Sequence, residues 1–182
     1  MNKNKQIVTA GVLIALGIIL PITFHTFQMG GAVFLPMHIP ILLGGFLLSP
    51  FNAALVGVLT PILSSVMTSM PPFFPIGIQM VFELACYGYI ISYIYKRRSN
   101  LFISLIMGML AGRLVAGIVN YILLTQFLAK AFSLKTFLTA SFITSLPGIL
   151  IQIVVIPIMV KLLENANILE SKGVNINEAK HN

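Results

Sequence analysis

The chain has 182 residues, of which 58% are hydrophobic and only 8% are charged, with a mean hydropathy of +1.00. Soluble domains carry about 25% charged residues, so this chain has too few to cover a surface in water, and a soluble globular protein is excluded. The net charge of +7 is compatible with a nucleic-acid partner, but the basic residues flank apolar segments, which indicates membrane topology and no nucleic acid.

Six apolar segments follow one another along the chain, each about as long as a membrane span. A transmembrane helix needs about 20 apolar residues. The runs are continuous, whereas the strands of a membrane β-barrel alternate polar and apolar residues. We therefore predict an all-α integral membrane protein with six transmembrane helices. Their approximate bounds are 7–27, 32–49, 51–69, 76–95, 101–127 and 137–163.

The break between the second and third segments rests on the short stretch from Ser49 to Asn52. As one helix, residues 32–69 would be about 57 Å long, against a hydrocarbon core of about 30 Å. Charge supports the break as well. With the N-terminus in the cytoplasm, a turn at Pro50 puts Lys96-Arg97-Arg98 and the lysines after the sixth segment in the cytoplasm too. We predict six spans with both termini cytoplasmic.

The segments predict one membrane domain over residues 1–164 and a polar cytoplasmic tail over residues 165–182. The predicted outer loops cover residues 28–31, 70–75 and 128–136. Three prolines hold the middle loop extended, and we interpret it as a lid over a site or as a stiff connector at the headgroup level.

Few ionisable groups lie within the predicted spans. Glu83 is in the fourth span and Arg113 in the fifth, and His25 and His38 lie near the outer side. A charge at mid-membrane costs roughly 2.5–3.5 kcal/mol on insertion scales, so such residues usually face the bundle interior. Glu83 and Arg113 form either an ion pair that locks the bundle or part of a polar substrate site. We expect His38 near the mouth of such a site, with an interfacial role as the alternative.

Three further polar residues extend the faces of these two helices. Gln79 lies four residues before Glu83 and Tyr87 four residues after it, so all three share one side of the fourth span. Asn120 follows Arg113 by two turns, on the same face of the fifth span. The predicted substrate-binding residues are Glu83, Arg113, Gln79, Asn120, His38 and Tyr87.

The chain lacks the sequence motifs of several enzyme classes. It has no Gly-x-x-x-x-Gly-Lys-Ser/Thr phosphate loop, so we do not expect it to hydrolyse ATP. It has no His-Glu-x-x-His or Gly-x-Ser-x-Gly motif, no aspartate and one cysteine, Cys86. No metal site, disulfide or cofactor is expected in this chain.

Three stretches of the chain resemble one family of transporter subunits. Residues Phe34–Pro50 read FLPMHIPILLGGFLLSP, and they are followed by the Ala53–Pro61 stretch and the Met70-Pro71-Pro72 turn. With six short spans and no ATPase motif, these stretches resemble the substrate-binding S components of energy-coupling factor (ECF) vitamin transporters, over most of residues 7–163. The resemblance implies a multi-pass protein of the bacterial plasma membrane. It would bind a vitamin or precursor from outside and import it with a membrane T component and two ATPase subunits.

The resemblance also implies a docking face and a ligand. S components carry an Ala-x-x-x-Ala motif in the first span for docking to the T component, and this chain has Gly11 and Ala15 at that spacing. Packing within the chain is the alternative. The second-span sequence is similar to proteins assigned to pantothenate or to the cobalamin precursor α-ribazole. Arg113 favours pantothenate, because a guanidinium binds a carboxylate bidentately. The Glu83 carboxylate instead favours a ligand with hydroxyl or N–H groups that donate hydrogen bonds.

Two other functions stay open on the sequence alone. A self-sufficient small carrier or channel, formed by oligomerisation, would transport a solute in liposomes without partner subunits. An intramembrane enzyme would release a chemically altered product. An S component would instead need its T component and ATPases.

Overall fold

The computed structural model describes residues 2–26, 30–98 and 100–166, and the regular elements within these ranges are all helices. Phe73–Gly77 is a kinked turn before the fifth helix, and Leu123–Phe127 and Thr139–Thr144 extend the sixth and seventh helices as π-helical turns. The eight helices are α1 (Lys3–Thr26), α2 (Gly31–Phe34), α3 (His38–Leu47), α4 (Pro50–Thr68), α5 (Ile78–Arg98), α6 (Leu101–Ile122), α7 (Leu134–Leu138) and α8 (Leu146–Asn165).

Five of the described helices are long and apolar enough to cross a membrane, which confirms an all-α integral membrane protein. The candidate spans are Lys3–Phe24, Pro50–Thr68, Phe73–Arg98, Leu101–Phe127 and Leu146–Asn165. The remaining apolar segment, Gly31–Leu47, is shorter. The count of six spans therefore stays a prediction that depends on this segment.

The short helix α3 lies in the middle of the bundle. Eight of its ten residues are buried, and Ile41 and Leu42 are fully so. It packs against α1, α4, α5 and α8. The five long helices each keep exposed apolar side chains that suit a lipid environment, whereas none of the residues of α3 is exposed in this way. Because α3 is surrounded by other helices, its length need not match the bilayer thickness.

The predicted break at Pro50 is confirmed. α3 ends at Leu47, Ser49 is extended, and Pro50 begins α4, where its missing N–H costs no helical hydrogen bond. The Gln6 side-chain oxygen on α1 accepts hydrogen bonds from the Ser49 N–H at 3.2 Å and the Asn52 amide at 2.6 Å. The turn is thereby tied to the first turns of α1.

Glycines bring α5 close to both of its neighbours. A Cβ atom on Gly57 of α4 would overlap the Leu84 carbonyl, and one on Gly88 of α5 would overlap the Ala53 carbonyl. On the other side, Gly112 of α6 lies directly against the Tyr87 ring. Small residues permit this close backbone approach between membrane helices, and here it brings the polar faces of α5 and α6 together.

Two predicted spans are less regular than their sequences suggested. The predicted sixth span, 137–163, contains a π-helical turn and a break at Ser145, and α8 begins just before Pro147. The predicted second span is interrupted around Pro36, where Leu35 takes a left-handed conformation with φ 51°. Pro36 disfavours the α conformation in Leu35, the residue before it. Pro147 lacks the N–H that would continue the preceding helix, and it is tolerated in the first turn of α8.

Some predicted features lie outside the described residues. These are most of the polar tail, at 167–182, part of the first outer loop, at 27–29, and the side chain of His25. The domain boundary at residue 165 therefore stays a prediction.

The topology can be tested by cysteine labelling in a Cys86→Ser background. Because basic residues concentrate on the cytoplasmic side, Arg98→Cys should react with an impermeant maleimide only after the cells are permeabilised. Lys130→Cys, in the segment between α6 and α7, should react in intact cells. The Cys86→Ser chain, which has no cysteine to react, is the control. Labelling of both positions from the same side of the membrane would contradict the topology.

Candidate functional site

A cavity of about 740 Å³ lies at the end of the bundle that carries the 70–77 and 128–133 segments. Ligand-binding cavities are typically about 300–1,000 Å³, so this one has room for a small organic molecule. Each of the three irregular turns contributes to its lining. The rest of the lining is mostly apolar, and its polar residues are His38, Gln79, Glu83, Arg113, Asn120, Ser133, Thr136, Ser141 and Ser145.

Two opposite charges meet across α5 and α6 in the cavity wall. Arg113 Nη1 lies 2.7 Å from Glu83 Oε1, and their side chains are 11% and 2% exposed. A buried ion pair compensates for the lost hydration only when the partners stay together, and removing one strands the other. The sequence left open whether these residues pair or belong to a substrate site. In the structure they pair, and both line the cavity, while the assignment of that cavity as a substrate site stays a prediction.

Tyr87 also contacts the Glu83 carboxylate. Its hydroxyl donates a hydrogen bond to Glu83 Oε1 at 2.7 Å, and its side chain is 1% exposed. Arg113 and Tyr87 thus both contact Oε1. Although the sequence grouped Tyr87 with the substrate-binding residues, it is absent from the cavity lining. In this structure it orients Glu83.

His38 lies deeper than the sequence suggested. We expected it near the mouth, but the turn around Pro36 directs the start of α3 into the bundle, and His38 is 3% exposed. Its Nε2 is 3.7 Å from Glu83 Oε1, which is too long for a hydrogen bond. Both ring nitrogens are buried, and neither has a hydrogen-bond partner in the part of the chain that the structure describes. Such unpaired buried groups are uncommon and call for an explanation.

The two predicted amides form a second link between α5 and α6. The Asn120 amide donates a hydrogen bond to Gln79 Oε1 at 2.7 Å, and both residues line the cavity. This bond leaves the N–H groups of Gln79 and the side-chain oxygen of Asn120 with capacity for another partner.

Residues 131–145 form a cavity wall that was not predicted from the sequence. Phe132, Phe137 and Ser141 line the cavity there, and the Ser145 hydroxyl donates to the Ser141 carbonyl at 2.6 Å. The signal was a run of serines and threonines in the apolar segment just before Pro147. Hydroxyl side chains bond to nearby backbone and often mark a bent or irregular helix.

α8 anchors the wall formed by α2. The Gln152 amide donates to the Leu35 carbonyl at 3.3 Å. Gly148 lies so close to α2 that an added Cβ would come within 2.7 Å of the Phe34 carbonyl. These two contacts position the Gly31–Pro36 segment against the cavity.

The two predicted docking residues lie elsewhere, on α1. Gly11 and Ala15 are both exposed, and an added Cβ on Gly11 would meet none of the described residues within 4 Å. Gly17 is different, because a Cβ there would collide with the Thr60 side chain of α4. Within the described structure, packing of α1 on α4 uses Gly17 and leaves Gly11 open.

One comparison with known proteins identified a family. A family model described as ECF transporter, substrate-specific component, matches residues 5–160, which include every described residue that lines the cavity. Comparisons with curated proteins and with solved structures gave no match.

The ion pair leads to a stability prediction. Glu83→Gln and Arg113→Gln each strand a buried charge, so each should destabilise the fold by about 3–5 kcal/mol. The double variant should recover most of that loss, because no charge is left unpaired. Thermal unfolding in detergent measures the effect. Glu164→Gln, which alters a carboxylate bonded to Tyr95 at the other end of α5, is the control. Single variants as stable as the parent would contradict the pairing.

Proposed function

The chain belongs to the substrate-specific components of ECF transporters, and we propose that it binds a water-soluble vitamin or vitamin precursor outside the cell for import. Members of this family are multi-pass membrane subunits, typically of the bacterial plasma membrane, and they have a small-molecule substrate. They are transporter subunits and not enzymes. The identity of the vitamin, the direction of transport and the residues that bind the substrate are proposals.

The observation that best supports the proposal is the cavity around the Glu83–Arg113 pair. It combines a mostly apolar wall with a few converging polar groups, the combination typical of small-molecule sites. We propose that Glu83, Arg113, Gln79, Asn120 and His38 contact the substrate and that Tyr87 acts by orienting Glu83. Pantothenate and α-ribazole are the two candidate substrates. Under the predicted topology, this cavity lies in the outer half of the membrane.

Import requires energy that this chain is not expected to supply. We propose that a T component and two ATPase subunits supply it, with ATP used by those partners and no cofactor in this chain. Family membership supports association with T and ATPase components in general.

We further propose that α1 docks on the T component through Gly11 and Ala15. The open surface at Gly11 supports this, because a close helix–helix approach needs small residues, and none of the described residues covers Gly11. Gly17 does not meet this condition, since α4 covers it.

Ligand affinity tests the site. Asn120→Ala removes one neutral hydrogen-bonding group from the cavity and should weaken binding of pantothenate or α-ribazole by roughly two- to tenfold, equivalent to about 0.5–1.5 kcal/mol. Isothermal titration of the purified chain in detergent measures the change. Asn52→Ala, at the α1–α4 contact, is the matched control. An Asn120→Ala chain that binds as tightly as the parent would argue against this site.

Complex assembly tests the docking face. Gly11→Leu adds bulk where the isolated chain has open space, so its fold and ligand affinity should be unchanged while co-purification with the T component is lost. Val66→Phe adds comparable bulk to an exposed position on α4 and should leave assembly intact. If the Gly11→Leu chain still assembles, docking uses another surface.

A further inference from the structure

We propose that the cavity selects an electrically neutral ligand over an anionic analogue. The inference rests on the proposed function, since it takes the cavity around Glu83 and Arg113 as the substrate site. It departs from the sequence-based preference for a carboxylate ligand, which rested on the guanidinium of Arg113.

The charges in the cavity lining sum to zero. Among the described residues that line it, Glu83 and Arg113 are the two that carry a full charge, and they are 2.7 Å apart. Among the described lining residues, His38 is the one other ionisable group, and the ordinary state of a histidine at pH 7 is neutral. Lys130 and Lys135 lie on the nearby 128–136 segment but are absent from the lining.

This balance disfavours a ligand carboxylate. A carboxylate that approaches Arg113 also approaches Glu83, so attraction to one is offset by repulsion from the other. The carboxylate would still lose its hydration on entering a mostly apolar cavity, and burial of an uncompensated charge is costly. A neutral ligand avoids this loss and keeps the favourable burial of its apolar surface.

His38 adds hydrogen-bonding capacity to the same wall without adding charge. Neither of its ring nitrogens has a hydrogen-bond partner among the described residues, and a neutral imidazole has one N–H donor and one acceptor nitrogen. A ligand hydroxyl or amide can pair with either nitrogen that it reaches, whereas an ionised carboxylate only accepts and can pair only with the N–H.

Two pairs of matched compounds test the inference in the parent chain. Pantothenol and pantothenate differ by a hydroxyl in place of a carboxylate, and α-ribazole and its 5′-phosphate differ by a phosphate. Isothermal titration of the full chain in detergent should give at least about tenfold tighter binding of the neutral member, or about 1.4 kcal/mol, in any pair that binds. Equal or tighter binding of the anionic member overturns the inference and leaves the proposed function standing. If no member of either pair binds, the pantothenate and α-ribazole assignments of the proposed function are overturned, and the inference falls with them.

A charge variant provides the second measurement. Glu83→Gln leaves the charge of Arg113 uncompensated, so the ratio of anionic to neutral affinity should rise by at least about tenfold in favour of the anion. Glu164→Gln, outside the cavity, should leave that ratio unchanged. An unchanged ratio in a folded Glu83→Gln chain overturns the inference. Since that variant is expected to be less stable, the parent-chain comparison decides the question wherever it fails to fold.

Discussion

Two opposite charges inside an apolar bundle must stay in contact, and the packing of α5 and α6 satisfies that requirement. Glu83 and Arg113 lie on facing helices, so their 2.7 Å contact needs the two helix backbones to approach closely. Gly112 makes room for the Tyr87 ring, and Tyr87 in turn donates to the same carboxylate oxygen. A bulkier residue at position 112 would separate the helices and strand both charges.

The same contact organises the cavity above it. Gln79 and Asn120 repeat the α5–α6 link with a neutral hydrogen bond, and His38 reaches the pair from α3 in the centre of the bundle. Much of the remaining wall comes from irregular backbone in residues 70–77, 123–133 and 139–145, and prolines lie in or just after the first and last of these stretches. Non-helical backbone at membrane depth is tolerated where it is buried in protein or lines a cavity, and these stretches meet that condition.

Much of the fold could be predicted because it depends on local composition. Apolar runs locate the long helices, the Pro50 turn follows from length and charge, and i, i+4 spacing groups Gln79 with Glu83. The position of His38 and the wall at residues 131–145 could not be predicted in the same way. His38 depends on where the chain turns after Pro36, and the wall depends on how α7 and α8 pack. Both are tertiary effects that no local periodicity encodes. The pairing of Glu83 with Arg113 stayed ambiguous for the same reason.

The most direct test of the central claim is the ligand affinity of the Glu83→Gln/Arg113→Gln double variant. Removing both charges keeps the bundle free of a stranded ion, so loss of binding in a folded protein reports on the site itself. If the substrate binds around this pair, a double variant with parent-like thermal stability should bind at least about tenfold more weakly than the parent. A well-folded double variant that binds its ligand as tightly as the parent would contradict the assignment of the cavity as the substrate site.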